Sequence, residues 1–170
     1  MQRFVPLSEI DPAAVEHMLD RAFGANRRSR TAYRLREGAA PLPALSFAVV
    51  EQSELLGTIQ CWPVLFESDA GGRLPMTMVG PVAVAPERQA EGIGKRLMSR
   101  ALDAADTAGL GDALMLVGDP EYYGRFFGFT TERTGGWRLP GPVDAHRLLA
   151  RGNDVPDEAG IVAPRIATRA

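Results

Sequence analysis

The stretch VGPVAVAPERQAEGIGKRL, Val79–Leu97, decides how this chain is read. It begins as a strand, apolar at nearly every position up to Ala85, and it ends on a helix that starts near Gly92. Gly92 and Gly94 stand directly ahead of the helical run, with Arg88, Lys95 and Arg96 crowded around them. The first turn of a helix carries partial positive charge from its unpaired N–H groups, so cations there are unfavourable unless an anion compensates them. Glycines let a backbone approach such an anion closely. The stretch therefore predicts a strand–loop–helix anion site. The plainer alternative is that the glycines only tighten the turn.

Two well-known phosphate loops do not fit. A Walker loop needs a glycine five residues before the Gly-Lys pair and a hydroxyl after the lysine, where Gln89 and Arg96 stand. A dinucleotide fingerprint needs a third glycine, and Leu97 occupies that place.

Upstream, ALSFAVVE (44–51), LLGTIQCWPVLFE (55–67) and RLPMTMVGPVAVAPE (73–87) read as three strands. Turn signals at 52–53 and 68–72 join them into an antiparallel meander, and the third is apolar enough to be central. Gln2–Pro6 reads as a short opening strand. Asp11 and Pro12 start a helix whose Val15, Met18, Leu19, Ala22 and Phe23 share a face, and Gly24 stops it. His17 falls opposite that face, as a solvated side chain. Asn26–Glu37 reads as a short basic helix carrying Arg27, Arg28, Arg30, Arg34 and Arg36; we read it as a solvated face, with a mobile lid over a substrate site as the functional alternative.

Downstream, the helix runs from about Gly92 to Ala108 and turns Ile93, Leu97, Ala101, Ala104 and Ala108 inward, flanked by Met98, Leu102 and Ala105. Ala113–Gly118 is a short buried strand, and the β-α-β order favours its parallel pairing with the strand before the helix. Asp119-Pro120 opens a short helix through Tyr122, Tyr123 and Phe126. FGFTTER (127–133) and GGWRLPG (135–141) read as closing strands. Residues 1–152 are read as one domain and 153–170 as a tail, either an edge element or partly disordered.

Composition narrows the function. A net charge of -2 over 170 residues argues against general nucleic-acid binding, so the basic cluster serves a small anion. Cys61 is the only cysteine, which excludes an internal disulfide and a CxxC metal site. The N-terminus lacks an apolar core of signal-peptide length and no apolar run could span a bilayer, so the expectation is a cytoplasmic protein.

The loop Arg88–Gly94 resembles the Q/R-x-x-G-x-G/A motif of the GNAT superfamily of acyl-CoA-dependent N-acyltransferases. Val79–Glu87 resembles that family's splayed central strand, and LVGDPEYYGRFFGF (116–129) resembles its thiol-side strand and helix. The closest likeness is to the small bacterial subgroup predicted to acetylate small molecules. It covers the second half of the chain well and the first half by element order. The resemblance implies an α/β (α+β) fold: a mixed, mostly antiparallel sheet with a splayed central strand pair and helices on both faces. It also implies acetyl-CoA as co-substrate and no metal.

The resemblance further assigns roles. Val82, Ala83 and Val84 would bond the pantetheine arm through their main chain. The loop Arg88, Gln89, Ala90, Glu91, Gly92, Ile93, Gly94 and Lys95 would hold the pyrophosphate, with N–H groups from Gln89, Gly92, Gly94 and Lys95. Tyr123 would protonate the leaving thiolate, with Tyr122 in reserve. Tyr123 stands five residues ahead of Gly128 where the family has four, an excess that a helical bulge would absorb. No carboxylate precedes Glu87 on the central strand, so the base is left to water, Glu67 or Glu121. Cys61 sits in an apolar strand, which favours direct transfer over a thiol intermediate. The implied function is acetyl transfer to the primary amine of a small molecule. The alternatives are a non-catalytic acyl-CoA-binding module and a protein N-terminal or lysine acetyltransferase. No nucleic acid or membrane is expected as partner, and a homodimer is compatible with this reading. The segments Arg27–Arg36, Pro63–Glu67 and the surroundings of Trp137 are expected to wall the acceptor site, their arginines suiting an amine that carries an anionic group.

Overall fold

The structure, a computed structural model, describes residues 1–166. Its strands are β1 (Gln2–Pro6), β2 (Phe47–Glu51), β3 (Glu54–Ser68), β4 (Arg73–Val84), β5 (Leu114–Val117), β6 (Trp137–Arg138), β7 (Leu148–Arg151) and β8 (Gly160–Pro164). Its helices are α1 (Pro12–Phe23), α2 (Thr31–Arg34), α3 (Ile93–Thr107) and α4 (Pro120–Phe127). The sheet runs β1-β2-β3-β4-β5-β7, with β8 on β3 and β6 on β8, and is antiparallel except for β4 against β5 and β6 against β8. Strand β3 is long enough to pair with β2 along its first half and with β8 along its second. This is the expected mixed, mostly antiparallel α/β sheet.

Strand alternation sends successive side chains to opposite faces, and a helix covers each face. On one, Val15, Met18 and Leu19 of α1 pack against Val5, Ala48, Val50 and Ala83. On the other, Ile93, Leu97, Met98 and Ala101 of α3 pack against Val49, Leu56, Ile59 and Cys61. Leu19 and Leu97 are fully buried, each contributing about 1.5–3 kcal/mol. Ala108 is exposed and Leu102 and Ala105 are buried, so the inward face of α3 is rotated from the one expected.

The central strands part where the sequence bends β4. Pairing of β4 with β5 is confined to Thr77 with Leu114 and Met78 with Met115. On its other edge β4 stays paired with β3 as far as Val84, through a register shift in which Cys61 faces Val79 and Ile59 faces Val82. One extra β4 residue is accommodated there, with Gly80 at φ 114°, a conformation natural only to glycine. Beyond this bulge β4 and β5 diverge and leave a wedge.

The two expected closing strands change, one strand appears without an expectation, and the tail takes its edge-element alternative. Residues 127–133 are not a strand: Phe127 ends α4, Thr130 makes a single bridge to Ala150, and β5 pairs instead with β7. Strand β7 has three buried residues in succession, so it lacks the alternation that marks a strand in sequence. Strand β6 is only two residues long. Within the tail, Gly160–Pro164 forms β8 and buries Val162; residues 167–170 lie outside the described residues.

The basic segment is also not one solvated helix. Arg27–Ser29 is a 3₁₀ turn, and α2 has four residues. Arg27 is fully buried, 2.9 Å from Asp20 and 3.5 Å from Glu16, and donates to the Tyr33 hydroxyl at 3.2 Å. Arg36 packs against the Tyr33 and Trp62 rings. Long arginine stems bury readily when rings or carboxylates receive the head; Arg28, Arg30 and Arg34 stay exposed, as expected.

Candidate active site

The wedge opens into a cavity of about 740 Å³. Met78–Val82 of β4 form one wall, Leu116–Asp119 and the two tyrosines of α4 another, and Ser29–Tyr33 with Arg36 a third. Phe23, Pro142–Asp144 and Arg147 complete it. The short helix α2 is fastened across to this last segment: the Thr31 hydroxyl donates to the Pro142 carbonyl at 2.5 Å and Arg34 Nη1 donates to the Pro140 carbonyl at 2.9 Å. The wall expected from Pro63–Glu67 and Trp137 is absent from the lining. Phe66 and Trp137 instead pack on each other in the core, with ring centroids 5.4 Å apart.

Strand β4 offers a free edge to the wedge. The Ala85 N–H donates to the Leu56 carbonyl at 2.8 Å, so Ala85, and by alternation Ala83, direct their backbone groups to β3. Val82 and Val84 therefore direct theirs to the side that β5 has left. Among the three residues expected to bond a ligand arm, this geometry brings forward Val82 and Val84 and engages Ala83 elsewhere.

After Ala85 the chain winds through a 3₁₀ turn, Pro86–Glu91, and Gly92 at φ 75° swings it into α3. No side chain caps α3, so its first N–H groups lack partners from the helix itself. A Cβ on Gly92 would meet no atom within 4 Å, and one on Gly94 would meet only Val84 and Val82, at 3.6 and 3.9 Å. Arg88 is committed within the protein. It lies 2.7 Å from Glu51, 2.5 Å from Glu91 and 3.9 Å from Glu54. These contacts hold the Glu51 and Glu91 carboxyls below their usual range, the Arg88 hydrogen bond being the main cause in each case. Arg96 donates to Gln2, and Lys95 stands 3.6 Å over the Phe126 ring. The three cations flanking the glycines thus have internal partners, and the helix terminus itself carries no side-chain cap.

Helix α4 presents the tyrosines. The Asp119 carboxylate accepts the Glu121 N–H at 3.0 Å, and Gly128 at φ 74° closes the helix. Gly128 N–H donates to the carbonyls of Gly124 and Tyr123, and Phe129 N–H donates at 3.2 Å to the Tyr123 carbonyl six residues back, so the last turn of α4 is wider than a regular α-turn. The extra residue before Gly128 falls within this widened turn, as the expected helical bulge would place it. The Tyr123 ring lies over Gly118, where a Cβ would stand 2.5 Å from ring carbon Cε2, and meets Tyr122 edge-on with centroids 4.9 Å apart. Burial raises both phenol pKa values; for Tyr123, Tyr122 and Asp119 add to the rise and Arg147 opposes it.

Sequence reasoning missed Gly118, Tyr33, Asp144 and Arg147. Gly118 gave one usable signal, a glycine between a buried strand and a cap residue; the others come from segments with no periodicity. Of the carboxylates considered as base, Glu67 lies 4.0 Å from Arg73, away from the cavity, and Glu121 is exposed on α4 without lining it. The carboxylates that line it are Asp119 and Asp144, each accepting a backbone N–H at 3.0 Å. Cys61 is fully buried and its thiol is pushed up to about 12, chiefly by burial. Among the described residues no group of three or more His, Cys, Asp or Glu could hold a metal ion, and no helix is long and apolar enough to cross a membrane.

Known proteins share this arrangement. A GNAT family acetyltransferase of Brucella melitensis, solved with acetyl-CoA, is 25% identical, with a TM-score of 0.68 over 97% of this chain and 96% of its own. A GNAT family N-acetyltransferase of Escherichia coli, solved with CoA, shares the fold at 22% identity, with a TM-score of 0.70 over 97% of this chain and 89% of its own. A ribosomal-protein alanine N-acetyltransferase of Escherichia coli shares the fold at 18% identity, with a TM-score of 0.53 over 88% and 90%. No curated protein gives a significant sequence match. The profile of the acetyltransferase (GNAT) domain matches residues 4–131, three quarters of a chain whose sheet, wedge and glycine-led helix already point the same way: the protein belongs to the GNAT acetyltransferase family.

Proposed function

We propose that this acyltransferase moves an acetyl group from acetyl-CoA directly to the primary amine of a small molecule. The observation that carries the reading is a wedge with a free strand edge and a half-buried tyrosine on its walls, on a β4 that runs on through a turn into an uncapped, glycine-led helix. The residues fit acetyl-CoA. Backbone groups of Val82 and Val84 would take the pantetheine arm as an added strand takes its neighbour. First-turn N–H groups of Ile93, Gly94 and Lys95, with Gly92 leaving room, would hold the pyrophosphate. Gln89, Ala90 and Glu91 shape the approach, and Arg88 fixes the turn through its carboxylates.

Bound acetyl-CoA supplies an acetyl group activated as a thioester. Tyr123 would hold a proton on its hydroxyl for the departing sulfur, whose parent thiol has a pKa of about 8.5. A raised phenol pKa keeps that proton in place at neutral pH. The buried, neutral Cys61 supports direct transfer, because the thiolate is the nucleophile. A peptide acceptor would call for an open, acidic groove. The cavity is instead crossed by α2 and carries Arg30, Arg36 and Arg147, which favours a small acceptor.

Thiol release from acetyl-CoA, measured across a panel of amines and short peptides, tests the proposal. Amine-dependent release with small molecules is expected. Tight CoA binding with no release for any acceptor would leave a non-catalytic binding module.

A further inference from the structure

Arg36 lines the cavity with no carboxylate of its own. Its guanidinium carbon lies 4.2 Å from the centroids of both the Tyr33 and Trp62 rings. Among the described residues no salt bridge reaches it. Its Nη1 is buried without an acceptor, and Nε1 of Trp62, on a ring packed against it, is a second buried donor in the same condition. Arg27, nine residues earlier on the same segment, differs in its charge partners: it is more deeply buried and its Nη2 also makes no hydrogen bond, but Asp20 and Glu16 neutralise it. A buried charge without a partner is costly, and burial pulls the Arg36 pKa down. The cavity has little to offset it. Asp119 and Asp144 already accept backbone N–H groups, while Arg30 and Arg147 add positive charge.

We propose that Arg36 receives a carboxylate of the acceptor, so that the acceptor is an amine bearing a carboxylate: an amino acid or a close relative. A guanidinium fixed against rings presents its N–H groups in one plane, which matches the two oxygens of a carboxylate. The inference rests on the cavity being the acceptor side of a small-molecule acetyltransferase, and it names the feature of the acceptor that is selected.

Binding of product analogues tests it independently of turnover. N-acetyl amino acids, each as the free acid and as the carboxamide, are titrated calorimetrically into the full chain in the presence of CoA, with N-acetylglucosamine 6-phosphate as a third arm. At least one acid is expected to bind about tenfold more tightly than its carboxamide. Arg36→Met should abolish the difference and Arg36→Lys restore part of it, with CoA affinity unchanged; Arg36→Gln replaces the Met variant should that one melt early. Equal binding of every acid and its carboxamide overturns the inference, and so does binding of the sugar phosphate alone. Absence of thiol release with every amine would remove the transfer reading and leave the acid-over-carboxamide difference to be read. Release with polyamines only, without acid-selective binding, would keep the transferase and overturn the carboxylate.

Discussion

Replacing Tyr123 by Phe removes one hydroxyl and leaves the ring over Gly118 in place. If that hydroxyl protonates the leaving sulfur, kcat should fall by about 10²–10⁴ with the CoA dissociation constant unchanged, by stopped assay and calorimetry. Tyr122→Phe should stay within a few-fold; the reverse pattern would move the acid to Tyr122. The pH dependence follows from the direction of the shift. Burial raises the Tyr123 pKa above its ordinary value of about 10, so the donor form persists at neutral and mildly alkaline pH. Loss of kcat through its deprotonation should be centred above about pH 10, and a decline centred near about pH 8.5 would point to another acid.

The loop and helix that start at Pro86 combine two kinds of glycine. Gly92 adopts φ 75°, so a side chain there would strain the backbone and confuse any binding measurement. Gly94 is inside the helix with ordinary contacts around its missing Cβ, and is the clean site for a test. Gly94→Val should weaken CoA binding by about tenfold or more, because its side chain keeps the pyrophosphate from the first-turn N–H groups and a charge-assisted hydrogen bond is worth about 1.5–3 kcal/mol, with a near-native melting temperature. Unchanged affinity in a folded variant would move the pyrophosphate elsewhere. Arg88 makes a different prediction. It holds the Glu51 and Glu91 carboxyls below their ordinary range, so the stabilisation is present above about pH 4.3 and is lost as pH falls through the lowered folded values. Thermal melting from pH 6 to pH 3 should therefore show a decline that Arg88→Met reduces.

Across the whole molecule, the C-terminal strand β8 completes the sheet that the earlier strands leave open along β3. Gly160 is its tightest point: a Cβ there would stand 2.5 Å from the Glu67 carbonyl oxygen and collide with the Phe66 ring. Gly160→Ala should cost about 1–3 kcal/mol by overpacking, lowering the melting temperature by several degrees. An unchanged melting curve would show that β8 yields locally. The cavity shares this dependence on distant segments, since α2 is fastened to residues 140 and 142 across more than a hundred positions of chain.

The sequence by itself determined the elements whose signals are local. Strand alternation, the Asp-Pro helix starts and the glycine stops set β1 to β5, α1, α3 and α4 to within a few residues, because capping and side-chain period act over a handful of positions. The turn from β4 into α3 was legible for the same reason. Tertiary structure alone decided the rest. It paired β5 with β7, laid β8 along β3, tied up Arg88 among carboxylates, buried Arg27 and set Arg36 against two aromatic rings. An arginine reads the same in sequence whether water, a carboxylate or a ring receives its head, and that choice is made by whichever residues the sheet brings alongside.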